Sequence, residues 1–202
     1  MYNKVFKRLI DFCISFIGFP IFVLLFLLLA PLIYLGDKGT VLYKSARLGK
    51  QGKTFTMYKF RTMKMNAPDL RDVDGSTYNS ESDHRVTKIG KILRKLSIDE
   101  IPQIINVLKG DMSLIGPRPD LPEAISLYND YQKEKLNVRP GITGYNQAYF
   151  RNSLYFIEKM NNDVFYVKNL SFIFDVKILF KSIHTVIFRK NIYNSRKERR
   201  ND

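Results

Sequence analysis

An uncharged stretch covering residues 12–35 constrains the fold of this chain more than any other feature. A straight helix of that length extends about 36 Å, enough to cross a bilayer. Pro20 and Pro31 lie inside it, and each would break or kink a helix near the preceding residue. Both flanks are basic, so the positive-inside rule gives neither flank a reason to be exported; the flanking residues are Lys4, Lys7, Arg8, Lys38, Lys44, Arg47, Lys50 and Lys53. The stretch therefore predicts a broken, re-entrant helix that enters one leaflet and returns, rather than a transmembrane span.

The composition restricts the kinds of partner and metal site that we expect for this chain. A chain of 202 residues suits one domain with a real core. Its formal charge of +14 predicts a polyanionic partner, and anionic lipid, a phosphorylated substrate and nucleic acid all qualify. Cys13 is the only cysteine, and His84 and His184 are the only histidines, which disfavours a cysteine zinc site, a histidine metal site and a Ser-His-Asp triad. A hard cation such as Mg²⁺, held by carboxylates and substrate phosphate, fits better.

Adjacent carboxylates mark the most informative segment, residues 91–119. Pro102 is tolerated only in the first turn of a helix, so a helix is predicted to start close to Asp99 and to stop at Gly110. Asp99 and Glu100 then lie at the positive end of the helix dipole, which favours their ionised forms as nucleophile or cation ligand. Alternatively, Ser97 and Glu100 form a capping box, and spacing alone favours that interpretation.

Two arginines downstream are held by prolines. Arg118 lies between Pro117 and Pro119, and Arg139 precedes Pro140, which biases the arginine to extended geometry. A guanidinium with so little backbone freedom is suited to bidentate phosphate binding, although an arginine paired with a carboxylate for structural reasons would look the same.

Further elements follow from periodicity. Residues 40–43 and 54–60 predict a β-hairpin, with Met57, Tyr58 and Phe60 in packing positions and Lys59 and Arg61 on a solvated basic edge. Residues 66–85 predict a polar surface loop, and residues 121–136 a helix. Residues 172–188 predict a helix with one apolar face, which is more often core, while an interfacial helix remains open; that face comprises Phe172, Val176, Leu179, Ile183 and Ile187.

Three motifs occur in fixed order behind the apolar stretch: KFRTM at 59–63, LSIDEIPQIINVLKGDMSLIGPRP at 96–119 and VRPGITG at 138–144. Together they resemble the small monotopic bacterial phosphoglycosyl transferases, the initiating sugar transferases, over residues 7–186. The resemblance implies that Asp99 is a nucleophile and that Glu100, with Asp99, holds Mg²⁺. It also implies substrate or phosphate contacts from Lys59, Arg94, Arg118, Arg139, Arg151 and Gln147.

The chain departs from the family pattern at two places. Where the family shows GLAQVxGRN, Gln147, Arg151 and Asn152 match, whereas Tyr145, Asn146, Tyr149 and Phe150 depart from it. In the apolar stretch, Leu24 stands near the position where family members carry a helix-breaking proline, with Gly18 and Pro20 earlier instead.

The expected fold is α+β and mainly helical: a single membrane-associated domain with a broken N-terminal membrane helix, a short β-hairpin and interfacial helices. Residues 1–36 would form the re-entrant helix, 37–188 a catalytic domain on the cytoplasmic face of the bacterial inner membrane, and 189–202 a basic tail. The expected partners are a UDP-sugar, polyprenyl phosphate and anionic phospholipid; no nucleic acid is expected, and a homodimer remains open. The competing hypothesis is a non-enzymatic membrane-anchored polyanion or RNA-binding adaptor, although no nucleic-acid motif is evident.

Overall fold

The computed structural model describes residues 2–70, 78, 80, 82–151 and 153–188. The predicted basic tail, part of the predicted loop at 66–85, and Asn152 lie outside the described residues.

The described chain is mainly helical with two small sheets, as predicted for an α+β fold. Residues Leu42–Leu48 pair antiparallel with Thr54–Phe60, and residues Ser113–Ile115 pair parallel with Gly141–Thr143. In chain order the elements are α1 (Lys7–Asp37), β1 (Leu42–Leu48), β2 (Thr54–Phe60), α2 (Lys88–Leu96), α3 (Ile104–Lys109), β3 (Ser113–Ile115), α4 (Asp130–Lys133), β4 (Gly141–Thr143), α5 (Tyr145–Tyr149), α6 (Phe156–Lys168) and α7 (Phe172–Ile187).

The N-terminal helix is continuous, so the predicted break is wrong. α1 carries both Pro20 and Pro31 inside one uninterrupted α-helix. Each proline removes a single backbone hydrogen bond, and the turns on either side maintain the helix. Within the described residues, α1 is the one helix long and apolar enough to cross a membrane.

The rest of the protein contacts α1 along its whole length. At its start the ammonium of Lys7 pairs with the carboxylate of Asp175 at 2.5 Å. Near its middle, Phe22 packs against Phe60. At its last residue, Asp37 pairs with Arg61 at 2.6 Å. Both ends of the helix are therefore anchored to the same body of protein.

The hairpin holds the first site motif in place. β2 has its predicted bounds, whereas β1 begins and ends later than predicted. Met57 and Phe60 are buried, as predicted. Arg61 is also buried, because it donates hydrogen bonds to the carbonyls of Thr40, Met63 and Ile33 as well as pairing with Asp37. The prediction of a solvated basic edge was therefore wrong for Arg61.

Two glycines allow the later motifs to pack together. β3 of the LIGPRP segment runs beside β4 of the RPGITG segment. A Cβ at Gly144 would lie 2.0 Å from the carbonyl oxygen of Gly116, so no side chain fits there. The segments that carry Arg118 and Arg151 therefore both follow this close contact between Gly116 and Gly144.

The last helix is oriented opposite to the prediction. The face of α7 that packs against the protein carries Asp175, Ile178, Ser182 and Thr185. Polar contacts hold this face, including hydrogen bonds from Thr185 to the carbonyl of Ala148 and between Ser182 and Thr143. The predicted core face is largely exposed instead, including Phe172, Leu179, Ile183 and Ile187. The interpretation as an ordinary core helix is therefore wrong.

The region predicted as one helix at 121–136 is divided. A 3-10 turn covers Pro122–Leu127, α4 follows, and a second 3-10 turn covers Glu134–Asn137. The interruption occurs because Asn129 caps α4 in a reciprocal pair with Gln132, which requires a non-helical backbone before it.

Candidate active site

The acidic pair lies on a short turn between two helices. α2 ends at Leu96, Ser97 adopts a left-handed φ of 57°, and a 3-10 turn covers Ile98–Gln103 before α3 begins. The predicted helical start beside Asp99 and the stop at Gly110 are confirmed. The side chain of Ser97 makes no cap hydrogen bond, so the alternative of a capping box is wrong.

Glu100 is the cation-paired member. Its Oε1 accepts hydrogen bonds from Lys59 Nζ at 2.6 Å and from Arg118 Nη1 at 3.1 Å. Burial alone would raise the pKa of Glu100, but the two cations outweigh burial and lower it to about 2. Glu100 is therefore a fixed anion at neutral pH.

Asp99 is the unpaired member. Within the described residues, no hydrogen bond or ion pair reaches its carboxylate, although Lys59, Arg94 and Arg118 act on it electrostatically. Burial, with the charge of Glu100 added, raises the pKa of Asp99 to about 6. The expected stabilisation of the ionised form by a helix dipole was wrong in direction, because burial outweighs a 3-10 turn of six residues. The carboxylate is nonetheless mostly ionised at pH 7.

Two further arginines flank the pair. Arg94, in the last turn of α2, donates from Nε to Thr62 Oγ1 at 2.9 Å. Arg151, with a left-handed φ of 54°, donates from Nη2 to Ser97 Oγ at 3.1 Å. Both guanidiniums act electrostatically on acidic residues of the pair. Sequence-predicted Lys59, Arg94, Arg118 and Arg151 therefore converge on Asp99 and Glu100.

Arg139 and Gln147 show no contact with this group. Arg139 donates from Nε to the carbonyl oxygen of Gly110 at 2.8 Å, at the C-terminal end of α3. Within the part of the chain that the structure describes, both polar atoms of the Gln147 amide are buried without a hydrogen-bond partner, and its Oε1 lies beside Gly144. Their proposed roles in binding substrate stay predictions.

Sequence reasoning missed the hydroxyls that orient the arginines. Thr62 and Ser97 each accept a hydrogen bond from one site arginine. Thr62 follows directly on the buried Arg61, and Ser97 directly precedes the turn of the acidic pair. No pattern in either local sequence indicates which distant guanidinium it will accept from.

The donor set suits a magnesium ion only in combination with a phosphorylated substrate. Among residues 2–70, 78, 80, 82–151 and 153–188, no cluster of three or more histidine, cysteine, aspartate or glutamate side chains could hold a metal. Mg²⁺ is commonly bound by one or two carboxylates together with substrate phosphates and water. Asp99 and Glu100 meet that requirement, because one oxygen of Glu100 is free of the cations that bind the other.

Comparison with known proteins identifies relatives of this chain. EpsL of Bacillus subtilis, an uncharacterized sugar transferase, is 47% identical over 152 residues, which cover 75% of this chain and 72% of EpsL. The UDP-N-acetylgalactosamine-undecaprenyl-phosphate N-acetylgalactosaminephosphotransferase of Aeromonas hydrophila is 40% identical over 90% of this chain, which spans 43% of that protein. The undecaprenyl-phosphate galactose phosphotransferase of Salmonella typhimurium is 38% identical over 78% of this chain, which spans 35% of it.

A carboxylate pair set among cations, in a chain with these relatives, defines a transferase. The match to the bacterial sugar transferase family extends over residues 2–189, which is nearly the whole chain. The chain belongs to that family.

Proposed function

We propose that this protein transfers a sugar 1-phosphate from a UDP-sugar to polyprenyl phosphate and releases UMP. In the first step a carboxylate oxygen of Asp99 attacks the β-phosphorus, the bond from that phosphorus to the bridging oxygen breaks, and UMP leaves. In the second step an oxygen of polyprenyl phosphate attacks the same phosphorus and displaces the carboxylate. The products are polyprenyl diphosphate sugar and the regenerated Asp99.

The proposal rests on the different environments of Asp99 and Glu100. Glu100 binds two cations and stays ionised, whereas Asp99 has no direct partner among the described residues and has a pKa of about 6. A nucleophilic carboxylate needs a free lone pair and an environment that does not bind it too tightly. Asp99 meets both conditions at neutral pH, and Glu100 does not.

The surrounding cations suit a diphosphate substrate. Arg118 is half-exposed and hydrogen-bonds Glu100 through one nitrogen only, so its other donors can face a phosphate. Lys59, Arg94 and Arg151 add positive charge where the transition state spreads negative charge over phosphate oxygens. Asp99 and Glu100 would hold Mg²⁺, which neutralises charge on the diphosphate when bound.

Attachment to one membrane leaflet fits the outer surfaces of α1 and α7. α1 exposes many large apolar side chains, yet ion pairs tie both of its ends to the same domain. A full span would place the two ends of α1 on opposite faces of the bilayer, whereas ion pairs attach both ends to one domain. The exposed apolar face of α7 would lie in the same interface. We place the domain on the cytoplasmic side of the inner membrane, where its basic charge would meet anionic lipid.

The decisive experiment compares wild type, Asp99→Asn and Asp130→Asn, each purified in detergent. UMP release is measured for a panel of UDP-sugars with and without polyprenyl phosphate. Wild type and Asp130→Asn, whose changed side chain is fully exposed, should release UMP. Asp99→Asn should release none, because an amide cannot serve as the nucleophile.

Trapping the intermediate tests the same step directly. Wild type mixed with the UDP-sugar that it turns over, then quenched and digested, should carry sugar phosphate on the peptide containing Asp99. A label on another residue would contradict the nucleophile assignment. An absence of UMP release with every donor would favour the non-enzymatic adaptor instead.

A further inference from the structure

A buried polar cluster lies behind the site, outside the residues that face the acidic pair. Its centre is the ammonium of Lys135, whose side chain is 3% exposed. The Nζ atom pairs with Asp120 at 2.6 Å and with Asp163 at 2.7 Å. It also donates to the carbonyl oxygen of Arg118 at 3.4 Å. One cation thus holds the backbone of the loop that carries Arg118.

The same cluster reaches the loop of Arg151. Asn146 Nδ2 donates to the second oxygen of Asp163 at 2.8 Å. The carbonyl oxygen of Asn146 in turn accepts the backbone N–H groups of Phe150 at 2.9 Å and Arg151 at 2.7 Å. Asp163 therefore lies between the two arginine-bearing loops, with Lys135 on one side and Asn146 on the other.

The side chains of both loops also contact the segment that carries the acidic pair. Arg118 hydrogen-bonds Glu100, and Arg151 hydrogen-bonds Ser97, which directly precedes the turn that carries Glu100. Lys135, Asp163 and Asn146 thus join the backs of two loops whose side chains meet the same turn at the front. A shift of Lys135, Asp163 or Asn146 would therefore change the distance between the guanidiniums of Arg118 and Arg151.

Stability alone gives little reason for such a cluster. A buried ion pair costs desolvation that its attraction often fails to offset, and apolar residues of similar volume frequently do as well. A fully satisfied buried polar network does fix one arrangement of its neighbours.

We propose that Lys135, Asp163 and Asn146 are positioning residues, a buried bridge that sets the spacing of Arg118 and Arg151 for the diphosphate of the donor. This inference rests on the proposed function. The bridge touches neither the substrate nor the reacting atoms; it acts through the two arginines.

A double-mutant cycle tests the bridge. Asn146→Ala should weaken UDP binding and raise KM for the donor by about tenfold, because a small displacement of a phosphate-binding arginine is costly. In an Arg151→Ala background the same change should have little further effect, since the group that it positions is gone. Asp163→Asn combined with Arg118→Ala should behave in the same way.

A matched control separates positioning from loss of stability. Gln132→Ala removes the buried side chain that completes the cap of α4 with Asn129, and within the described residues Gln132 has no hydrogen bond to either arginine loop. It should lower Tm while leaving KM and UDP affinity unchanged. UDP affinity, measured by calorimetry, supplements UMP release as a readout that needs no turnover.

The outcomes distinguish a failure of the proposed bridge from a failure of the proposed reaction. If wild type binds UDP and the single and double changes are additive, or Gln132→Ala raises KM as much as Asn146→Ala, the bridge is overturned. Coupled effects on UDP affinity in a protein that releases no UMP would support the bridge and overturn the proposed reaction. A wild type that binds no UDP would overturn both.

Discussion

Replacing Asp99 by asparagine should stabilise the protein while it abolishes turnover. Burial raises the pKa of Asp99 from its ordinary 3.8 to about 6, so the folded protein disfavours the ionised carboxylate. This difference corresponds to at most about 3 kcal/mol at pH 8. Partial contact of Asp99 with solvent lowers the figure. An uncharged, nearly isosteric amide avoids the cost.

The pH dependence of this gain in stability tests whether burial of the Asp99 carboxylate causes it. A carboxyl group whose pKa is raised on folding contributes stability while it is protonated, and that stability is lost as the pH rises through about 6. Asp99→Asn should therefore gain most over wild type at pH 8 and about half as much at pH 5. The expected difference in Tm at pH 8 is several degrees for a chain of this length.

Thermal unfolding in detergent at the two pH values measures the effect. Asp130→Asn serves as the control, because the Asp130 side chain is exposed and its pKa is lowered by Lys133 rather than raised. It should give no gain at either pH. A lower Tm for Asp99→Asn than for wild type at pH 8, or a difference that does not narrow at pH 5, would refute the argument from burial.

Three other measurements follow from the site and its support. The value of kcat/KM for the UDP-sugar should fall about tenfold per pH unit below pH 6, as Asp99 takes up a proton; a flat profile down to pH 5 would contradict the assignment. EDTA should abolish UMP release and added Mg²⁺ should restore it; full activity in excess EDTA would exclude the proposed metal. Arg61→Met should lower the free energy of unfolding by about 1–3 kcal/mol, because it removes the donor to the partly exposed Asp37 and to the carbonyls of Met63 and Ile33; an unchanged Tm would show that the pair is dispensable.

Local sequence predicted those features that depend on a few neighbouring residues. The stop at Gly110 follows from a left-handed φ of 91°, and the start beside Asp99 follows from the position of Pro102. The bounds of β2 follow from alternation of side chains. Lys59 and Arg118, which the motifs indicated as phosphate contacts, both pair with Glu100, and their contacts with phosphate stay predictions.

Other features depend on distant partners or on the surrounding medium. The predicted orientation of α7 was wrong. The prediction assumed that the apolar face of the helix is buried, as it is in a soluble protein. In this structure the side chains of Asp175 and Thr185 lie on the buried face and bind partners there. The proline that follows Arg139 did not reveal that its guanidinium would contact the carbonyl of Gly110. The pKa of Asp99 depends on how the site is enclosed, which no spacing of residues reveals.

The anchoring of α1 at both ends affects any attempt to produce the enzyme without its hydrophobic segment. Deleting the first 37 residues would leave Arg61 and Asp175 inside the domain without their opposite charges, and would uncover Phe60 beneath the hairpin. A soluble version for crystallisation or inhibitor screening should therefore keep the segment and exchange only its outward-facing residues, such as Ile17, Leu24 and Leu28, for polar ones.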